Sequence, residues 1–270
     1  MKAELLCFTG FGKIRGTIWT SSAKDEQDAS MSDFRSYAPD LDTQKSEIEL
    51  SPFESHHLVG TNRARSGDEV VLFNGAGLEW RARLVEADRR KSCLKRLDSI
   101  HHEATELSIT LAIGIIKGKT FDTILRQATE LGVKTIQPLL TRWTQVQIKD
   151  ADSKKAKWEQ QLIEACKQSG NPWLPKLNEP RSMDDYVKQS HFDTVVVASL
   201  ENRARTWSEL SLTQSTTLFI GPEGDFTPEE YEQLSSLGAQ AVTLGSQVLR
   251  SETAVVSALS VLMESISRQS

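Results

Sequence analysis

The sequence predicts an α/β protein, a mostly parallel sheet covered by helices and preceded by a small β-barrel. Three observations lead there. From Leu107 onward, apolar runs of strand length alternate with segments of helical periodicity, the pattern of a parallel sheet wrapped on both faces. From Asp68 to Leu97 the apolar positions Val70, Leu72, Trp80, Ala82, Leu84, Cys93 and Leu97 follow a strand-like alternation. Turns at Asn74-Gly75-Ala76-Gly77 and Ala87-Asp88-Arg89-Arg90 interrupt it, which reads as short strands of a small barrel. Near the C-terminus, two glycine-bearing segments each follow an apolar strand and lead into a helix.

Taken in order, the second half predicts strands near 107–115, 134–140, 193–199, 216–220 and 240–244. Helices are expected near 119–131, 154–169, 205–210, 227–237 and 252–268. Thr227-Pro228-Glu229-Glu230 supplies an N-cap, a first-turn proline and a capping-box glutamate. In the last helix Val255, Leu259, Leu262 and Ile266 share one face, and Ser251 reads as an ordinary N-cap. The polar stretch Ser99 to Glu106 separates the two patterns, so domains are expected at 31–100 and 106–270.

The chain has 270 residues, 38% hydrophobic and 26% charged, an ordinary globular mixture with enough apolar surface for a sizeable core. Its three cysteines, Cys7, Cys93 and Cys166, are far apart and form no CxxC pair, so the sequence suggests neither a disulfide framework nor a zinc site. The adjacent pairs His56-His57 and His101-His102 have no accompanying Cys or carboxylate cluster, and no metal is expected. The run Leu107 to Ile116 is interrupted by Ser108, Thr110 and Gly114, far short of the roughly 18 residues of a membrane span. Leu5 to Phe8 is too short for a signal peptide. A reducing, cytoplasmic setting is expected, with no membrane partner.

Net charge is −5, which argues against a nucleic-acid partner until its distribution is read. Between 81 and 96, Arg81, Arg83, Arg89, Arg90, Lys91, Lys95 and Arg96 face only Glu86 and Asp88. A local excess of this kind is either a solvated hairpin or a footprint for phosphate.

The most specific segments are Gly221-Pro222-Glu223-Gly224-Asp225-Phe226 and Leu244-Gly245-Ser246-Gln247-Val248-Leu249-Arg250-Ser251-Glu252-Thr253-Ala254. They resemble the C-terminal signature of the bacterial 16S ribosomal RNA uracil-N3 methyltransferases, the RsmE-type branch of the SPOUT superfamily. The resemblance continues through Gly118-Lys119, Ile124 to Gly132, Ile136-Gln137-Pro138-Leu139 and Glu164 to Gly170. It includes His56-His57-Leu58-Val59, Arg63, Gly67-Asp68-Glu69 and Leu72-Phe73-Asn74-Gly75 upstream, and covers about residues 31 to 268. Residues 1–30 match nothing in the family, so Met31 is expected to be the initiator and 1–30 an upstream extension, the other reading being a genuine first strand at Leu5 to Phe8. The chain departs from the family at Thr61-Asn62, Ser169-Gly170-Asn171-Pro172-Trp173 and Ser246-Gln247, departures that bear on RNA contact more than on the cofactor site.

The resemblance implies a PUA-like RNA-binding barrel followed by a SPOUT domain whose C-terminal segment is threaded into a trefoil knot, an exception to the rule against knots. It implies S-adenosylmethionine as cofactor, 16S ribosomal RNA of the small subunit as substrate, and a homodimer. By position, Ser199, Leu200, Glu201, Ile220, Gly221, Gly224, Leu244, Gly245, Val248, Leu249, Thr253 and Ala254 are expected to hold the cofactor. Arg250 is expected to stabilise negative charge on a uracil carbonyl oxygen, and Glu223 either takes the N3 proton or orders its loop. Arg63, Arg65, Arg89, Arg90, Lys91 and Arg126 are candidate RNA contacts, although Arg126 and Glu130 are also spaced as a surface ion pair. Two other readings stay open: an inactive RNA-binding or ribosome-assembly protein of this fold, or a methyltransferase of this fold acting on another RNA, such as a transfer RNA.

Overall fold

The structure is a computed structural model and describes residues 34–144, 148–200 and 204–269. Residues 1–30 lie outside the described residues. Two sheets organise the chain.

The first has five strands in the order β1 (Arg35–Tyr37), β3 (Glu69–Phe73), β4 (Leu78–Glu86), β5 (Cys93–His101) and β2 (Glu47–Glu49). The alternation seen in the sequence is visible in β4, where Trp80, Ala82 and Leu84 are fully buried and Arg81, Arg83 and Val85 are exposed. These residues meet Leu58, Val70, Leu72 and Leu94 in one core around which the sheet curls. Between β2 and β3 lies α1 (Pro52–Ser55), which runs on as a π-helical turn over His56–Thr61. Ser51 caps α1 by accepting from the Glu54 N–H.

The second sheet is parallel throughout, in the order β12 (Gln240–Val242), β10 (Thr194–Ala198), β11 (Ser215–Ile220), β6 (Ser108–Gly114), β7 (Thr135–Leu140) and β8 (Lys176–Leu177), with β9 (Arg181–Ser182) also pairing β7. α2 (Lys119–Glu130), α3 (Ile148–Ser169) and α6 (Ser251–Gln269) supply the main core with Phe121, Ile124, Leu125, Trp158, Leu162, Val255, Leu259, Leu262 and Ile266. A separate core of Tyr186, Phe219, Phe226 and Leu234 joins α4 (Met183–Gln189) and α5 (Pro228–Ser236) to the sheet. Buried on both sides, the strands read as continuous apolar runs, which is why they were legible.

Three elements differ from expectation. The helix expected at 205–210 is a single 3₁₀ turn, Trp207–Glu209, closed by a Thr206–Glu209 capping box, and Leu210 beyond it is extended. The helix expected from 154 starts at Ile148. Helix α4 was unforeseen, although Ser182 caps it in the usual way by accepting from the Asp185 N–H.

The chain around Arg205 is in effect a strand. Its N–H donates to the Ala241 carbonyl (2.9 Å), and its carbonyl accepts from the Thr243 N–H (3.0 Å). On the opposite edge of β12, the Ser199 N–H donates to the Val242 carbonyl (3.0 Å), continuing the β10 ladder. β12 is therefore enclosed between the two ends of one earlier connection, the threading of the knotted fold.

The two sheets meet along a polar joint. Gly77 donates to the Pro172 carbonyl (3.2 Å) and Leu174 donates to the Gly75 carbonyl (2.9 Å), while Asn171 is anchored within its own half to the Thr129 carbonyl of α2 (3.1 Å). Gly77 has φ +88°, and a Cβ there would fall 2.5 Å from the Trp173 ring, so only glycine fits. The segment Asn171-Pro172-Trp173, set apart from the family in the sequence, thus forms the joint between the two halves. Beside it Lys167 pairs with Glu54 (3.0 Å), their side chains 6% and 5% exposed, and with Glu164 (2.8 Å). Arg35 pairs with Glu79, which also meets His102 at 2.6 Å.

Removing one member of a buried pair strands the other charge at a cost of about 3–5 kcal/mol, whereas replacing both is nearly neutral. Lys167→Met should therefore lower the unfolding free energy by about 3 kcal/mol, and adding Glu54→Gln should recover most of that loss. Denaturant unfolding of the single and double variants checks this; purely additive losses would contradict it.

Candidate functional site

All strands of the second sheet point the same way, so their C-terminal ends share one edge, where ligands of open parallel sheets gather. A cavity of about 420 Å³ lies beyond β10, β11 and β12. Its wall comes from three segments brought together by the threading: Ala198 to Leu200 after β10, Ile220 to Asp225 after β11, and Leu244 to Ala254 leading into α6. Thr120, in the first turn of α2, closes the fourth side.

The loop after β11 comes close to the backbone of β6. A Cβ on Gly114, the last residue of β6, would lie 2.7 Å from the Pro222 nitrogen and Cδ, so glycine at 114 lets the loop seat. Asp225 holds the loop's turn at φ +61°, a left-handed conformation that needs support from its surroundings. That support is a hydrogen bond from the Phe226 N–H to Oδ1 (2.8 Å) and bonds from the Tyr231 hydroxyl to Oδ1 and Oδ2 (3.0 and 3.1 Å). The capping box expected at Thr227 and Glu230 is present. Next to it, the Glu229 carboxyl is held below its usual range by its own backbone N–H, then by the Thr227 hydroxyl, with Arg142 adding to the effect.

The last segment is tied to this loop. The Ser251 hydroxyl donates to the Gly221 carbonyl at 3.5 Å, and the first helical bond of α6 runs from the Ala254 N–H to the Arg250 carbonyl (2.8 Å). Arg250, rather than Ser251, therefore occupies the N-cap position, and Ser251 clamps the two loops together. Arg250 and Glu223 both line the cavity and both are exposed. Among the described residues neither side chain has an ion-pair or hydrogen-bond partner.

Of the expected cofactor residues, Ser199, Leu200, Ile220, Gly221, Leu244, Gly245, Val248, Leu249 and Ala254 line the cavity. Gly224 and Thr253 are exposed and outside its wall, and Glu201 lies outside the described residues. Sequence reasoning passed over Thr120, Asp225, Gln247 and Glu252 as lining residues. Asp225 and Gln247 sit inside the two motifs and were findable there, but Thr120 reaches the cavity only through the fold.

The basic segment forms the β4–β5 hairpin. Asp88 Oδ1 accepts from the Arg90 and Lys91 N–H groups (2.7 and 2.9 Å) and shapes its tip. Several of its charges are engaged: Arg83 bonds Glu69 (3.1 Å), Arg81 stands 4.0 Å from Glu69, and Lys91 pairs with Glu49 (2.9 Å). Arg96 lies over Trp80, 5.2 Å from the ring centre. Arg89 and Arg90 project into solvent at the tip. Arg63, with φ +62°, and Arg65 are exposed on the neighbouring loop. Arg126 is exposed on α2, 3.7 Å from Glu130. The cavity wall includes none of these six candidate RNA contacts.

Comparison with known proteins bears on this geometry. The family model for the RNA methyltransferase domain matches residues 103–263, and that for the RNA methyltransferase PUA domain matches 54–96. The ribosomal RNA small subunit methyltransferase E of Synechocystis is 31% identical over 218 residues, covering 78% of this chain and 71% of the relative. A methyltransferase structure from Legionella pneumophila, solved with bound SAM, superposes with TM-score 0.81 at 31% identity over 86% of this chain and 97% of that one. The ribosomal RNA small subunit methyltransferase E of Neisseria gonorrhoeae, solved with S-adenosylmethionine, gives 0.78 at 28% identity over 85% and 96%.

Because Gly114 admits the approach of Pro222, Gly114→Ala should lower stability by about 1–3 kcal/mol, the usual cost of overpacking. Chemical denaturation measures it. A loss below about 0.5 kcal/mol, typical of a substitution with no steric consequence, would show that the loop is not seated as described.

Proposed function

Because the chain belongs to the ribosomal RNA small subunit methyltransferase E family, we propose that it transfers a methyl group from S-adenosylmethionine to ring N3 of a uracil in 16S ribosomal RNA of the small subunit. The observation that carries this reading is the presence of a guanidinium, Arg250, and a carboxylate, Glu223, each without a partner among the described residues, at one cavity built from the chain's two most specific motifs.

The residues present suit the cofactor. The cavity volume of about 420 Å³ is in the range that encloses small ligands. Leu200, Ile220, Leu244, Val248 and Leu249 offer apolar contact for a heteroaromatic ring, and the glycines at 221 and 245 give access to backbone groups. Three carboxylates, Glu223, Asp225 and Glu252, face the cavity against one guanidinium, a balance that favours a sulfonium cation. When bound, S-adenosylmethionine supplies the electrophilic methyl group.

The chain's own residues must make N3 nucleophilic, because at neutral pH that nitrogen keeps its proton and its lone pair is unavailable. Arg250, at the N-terminus of α6, stabilises the negative charge that develops on a uracil carbonyl oxygen, aided by the positive end of the helix. Glu223, exposed and unpaired among the described residues, accepts the N3 proton. Asp225 is occupied by Tyr231 and Phe226 and keeps the Glu223 turn in shape.

RNA is gripped away from the chemistry in this reading, by Arg63, Arg65, Arg89, Arg90 and Lys91 on the first sheet's edge and by Arg126 on α2. A homodimer uses that small footprint twice. Leu200, Val248 and Val261, exposed at 59%, 78% and 37%, supply apolar surface for such pairing around the cavity and α6. The cytoplasm is the expected setting, where the substrate is made; no helix among the described residues is long and apolar enough to cross a membrane.

The test is transfer of labelled methyl to small ribosomal subunits lacking their own uracil-N3 methylation, followed by nucleoside analysis. Wild type should yield 3-methyluridine. Arg250→Ala should lose roughly 100- to 1,000-fold in kcat, as for removal of one oxyanion donor, and Glu223→Gln a comparable factor through lost base catalysis. Methylation at another atom, or full activity in both variants, would overturn the assignment.

A further inference from the structure

Trp143 stands on the turn that follows β7, with 56% of its surface exposed, whereas Trp80 and Trp158 are buried. The turn that carries it is anchored by hydrogen bonds. The Thr141 N–H donates to Thr144 Oγ1 (2.9 Å), the Thr144 N–H donates to the Thr141 carbonyl (3.1 Å), and the two hydroxyls lie 3.1 Å apart. Between them, the Arg142 N–H donates to Glu230 Oε1 (2.9 Å), the same carboxylate that closes the cap of α5 through the Thr227 N–H (2.8 Å).

The indole rests on Gly224. A Cβ built at that glycine would lie 3.1 to 3.3 Å from the Trp143 Cβ, Cγ and Cδ1 atoms, closer than side chains ordinarily pack, so the absence of a side chain at 224 lets the ring lie against the backbone. The residue before it, Glu223, lines the cavity. An aromatic plane therefore stands on an anchored turn beside the cavity mouth with much of its surface in water, and Arg142, also exposed, precedes it. Burial does not account for this placement. The chemistry it fits is a nucleobase taken out of its stack: every base has a π-face, a fixed indole offers it a platform, and an adjacent cation suits the phosphate that follows.

We propose that Trp143 is a substrate-binding residue on which an unstacked base of the RNA strand rests at the cavity mouth, positioning the strand for the reacting groups at Glu223 and Arg250. This rests on the RNA methyltransferase reading and adds to it a specific contact outside the two C-terminal motifs.

Two measurements separate the proposal from that reading. The first is methyl transfer to small ribosomal subunits by wild type, Trp143→Ala and Trp143→Phe. The second is equilibrium binding of a short single-stranded, uridine-containing RNA to the same proteins loaded with S-adenosylhomocysteine. Loss of one base-stacking contact predicts roughly a 5- to 100-fold weaker RNA affinity in Trp143→Ala, seen as a raised KM for subunits with kcat within about threefold. Trp143→Phe, which keeps a ring, should recover most of it, and affinity for S-adenosylhomocysteine should be unchanged in all three. If wild type transfers methyl but Trp143→Ala matches it within twofold in KM and in RNA affinity, the platform is wrong and the methyltransferase reading stands. Should wild type transfer no methyl while Trp143→Ala still loses RNA affinity, the platform stands and the substrate assignment falls. RNA that binds all three proteins equally, or none of them, overturns the platform.

Discussion

Strand β12 is hydrogen-bonded on one edge to the β10 ladder and Ser199 and on the other to Arg205, the two ends of a single connection, and the cavity depends on that enclosure. An edge strand of three residues would otherwise be held by one ladder. Its bonds to Ser199 and Arg205, each worth about 1 kcal/mol net, fix where the chain emerges. Emerging there, Leu244 to Arg250 pass alongside Ala198 to Leu200 and across from Ile220 to Asp225. Ser251 then locks the passage to Gly221. Three loops distant in sequence become one wall because topology, rather than a large local core, presses them together.

A second constraint orients the two halves. The joint is short and polar, built from Gly75, Gly77 and Asn171-Pro172-Trp173 with the buried Lys167–Glu54 pair behind it. Buried charges paired in this way contribute more to geometry than to net stability. Their consequence is that the basic hairpin is carried on a body anchored to α3 and cannot swing independently on a polar linker. One of the segments where the sequence departs from the resembled family, Ser169 to Trp173, is the segment that makes this joint.

Much of the parallel sheet was legible because its strands are buried on both faces and carry short apolar runs, as in Val195 to Ala198 and Leu218 to Ile220. The α5 cap was legible because Thr227-Pro228-Glu229-Glu230 is locally sufficient. The 205–210 segment was misread as a helix because its capping signal at Thr206 is real but local, while Arg205 obeys a partner, β12, that lies beyond residue 239. Ser251 misled in the same way: its residue type suits an N-cap, but tertiary packing sends the hydroxyl to Gly221. At the site, the glycine motifs announced the cavity. Thr120 and Trp143 carried no signal, since their roles arise from neighbours roughly a hundred residues away in the chain, and periodicity holds no information about such contacts.

The chemistry follows from division of labour. Residues already committed to structure, Asp225, Glu230 and Ser251, hold the loops, and in the proposed reaction Glu223 and Arg250, uncommitted among the described residues, act on the substrate. The most direct test of this account is the structure of the protein bound to S-adenosylhomocysteine. The ligand should be enclosed by Ala198 to Leu200, Ile220 to Asp225 and Leu244 to Ala254, with the Arg250 guanidinium and Glu223 carboxylate still open toward the mouth. A ligand bound elsewhere, or one that recruits Arg250 and Glu223 into pairing with each other, would contradict it.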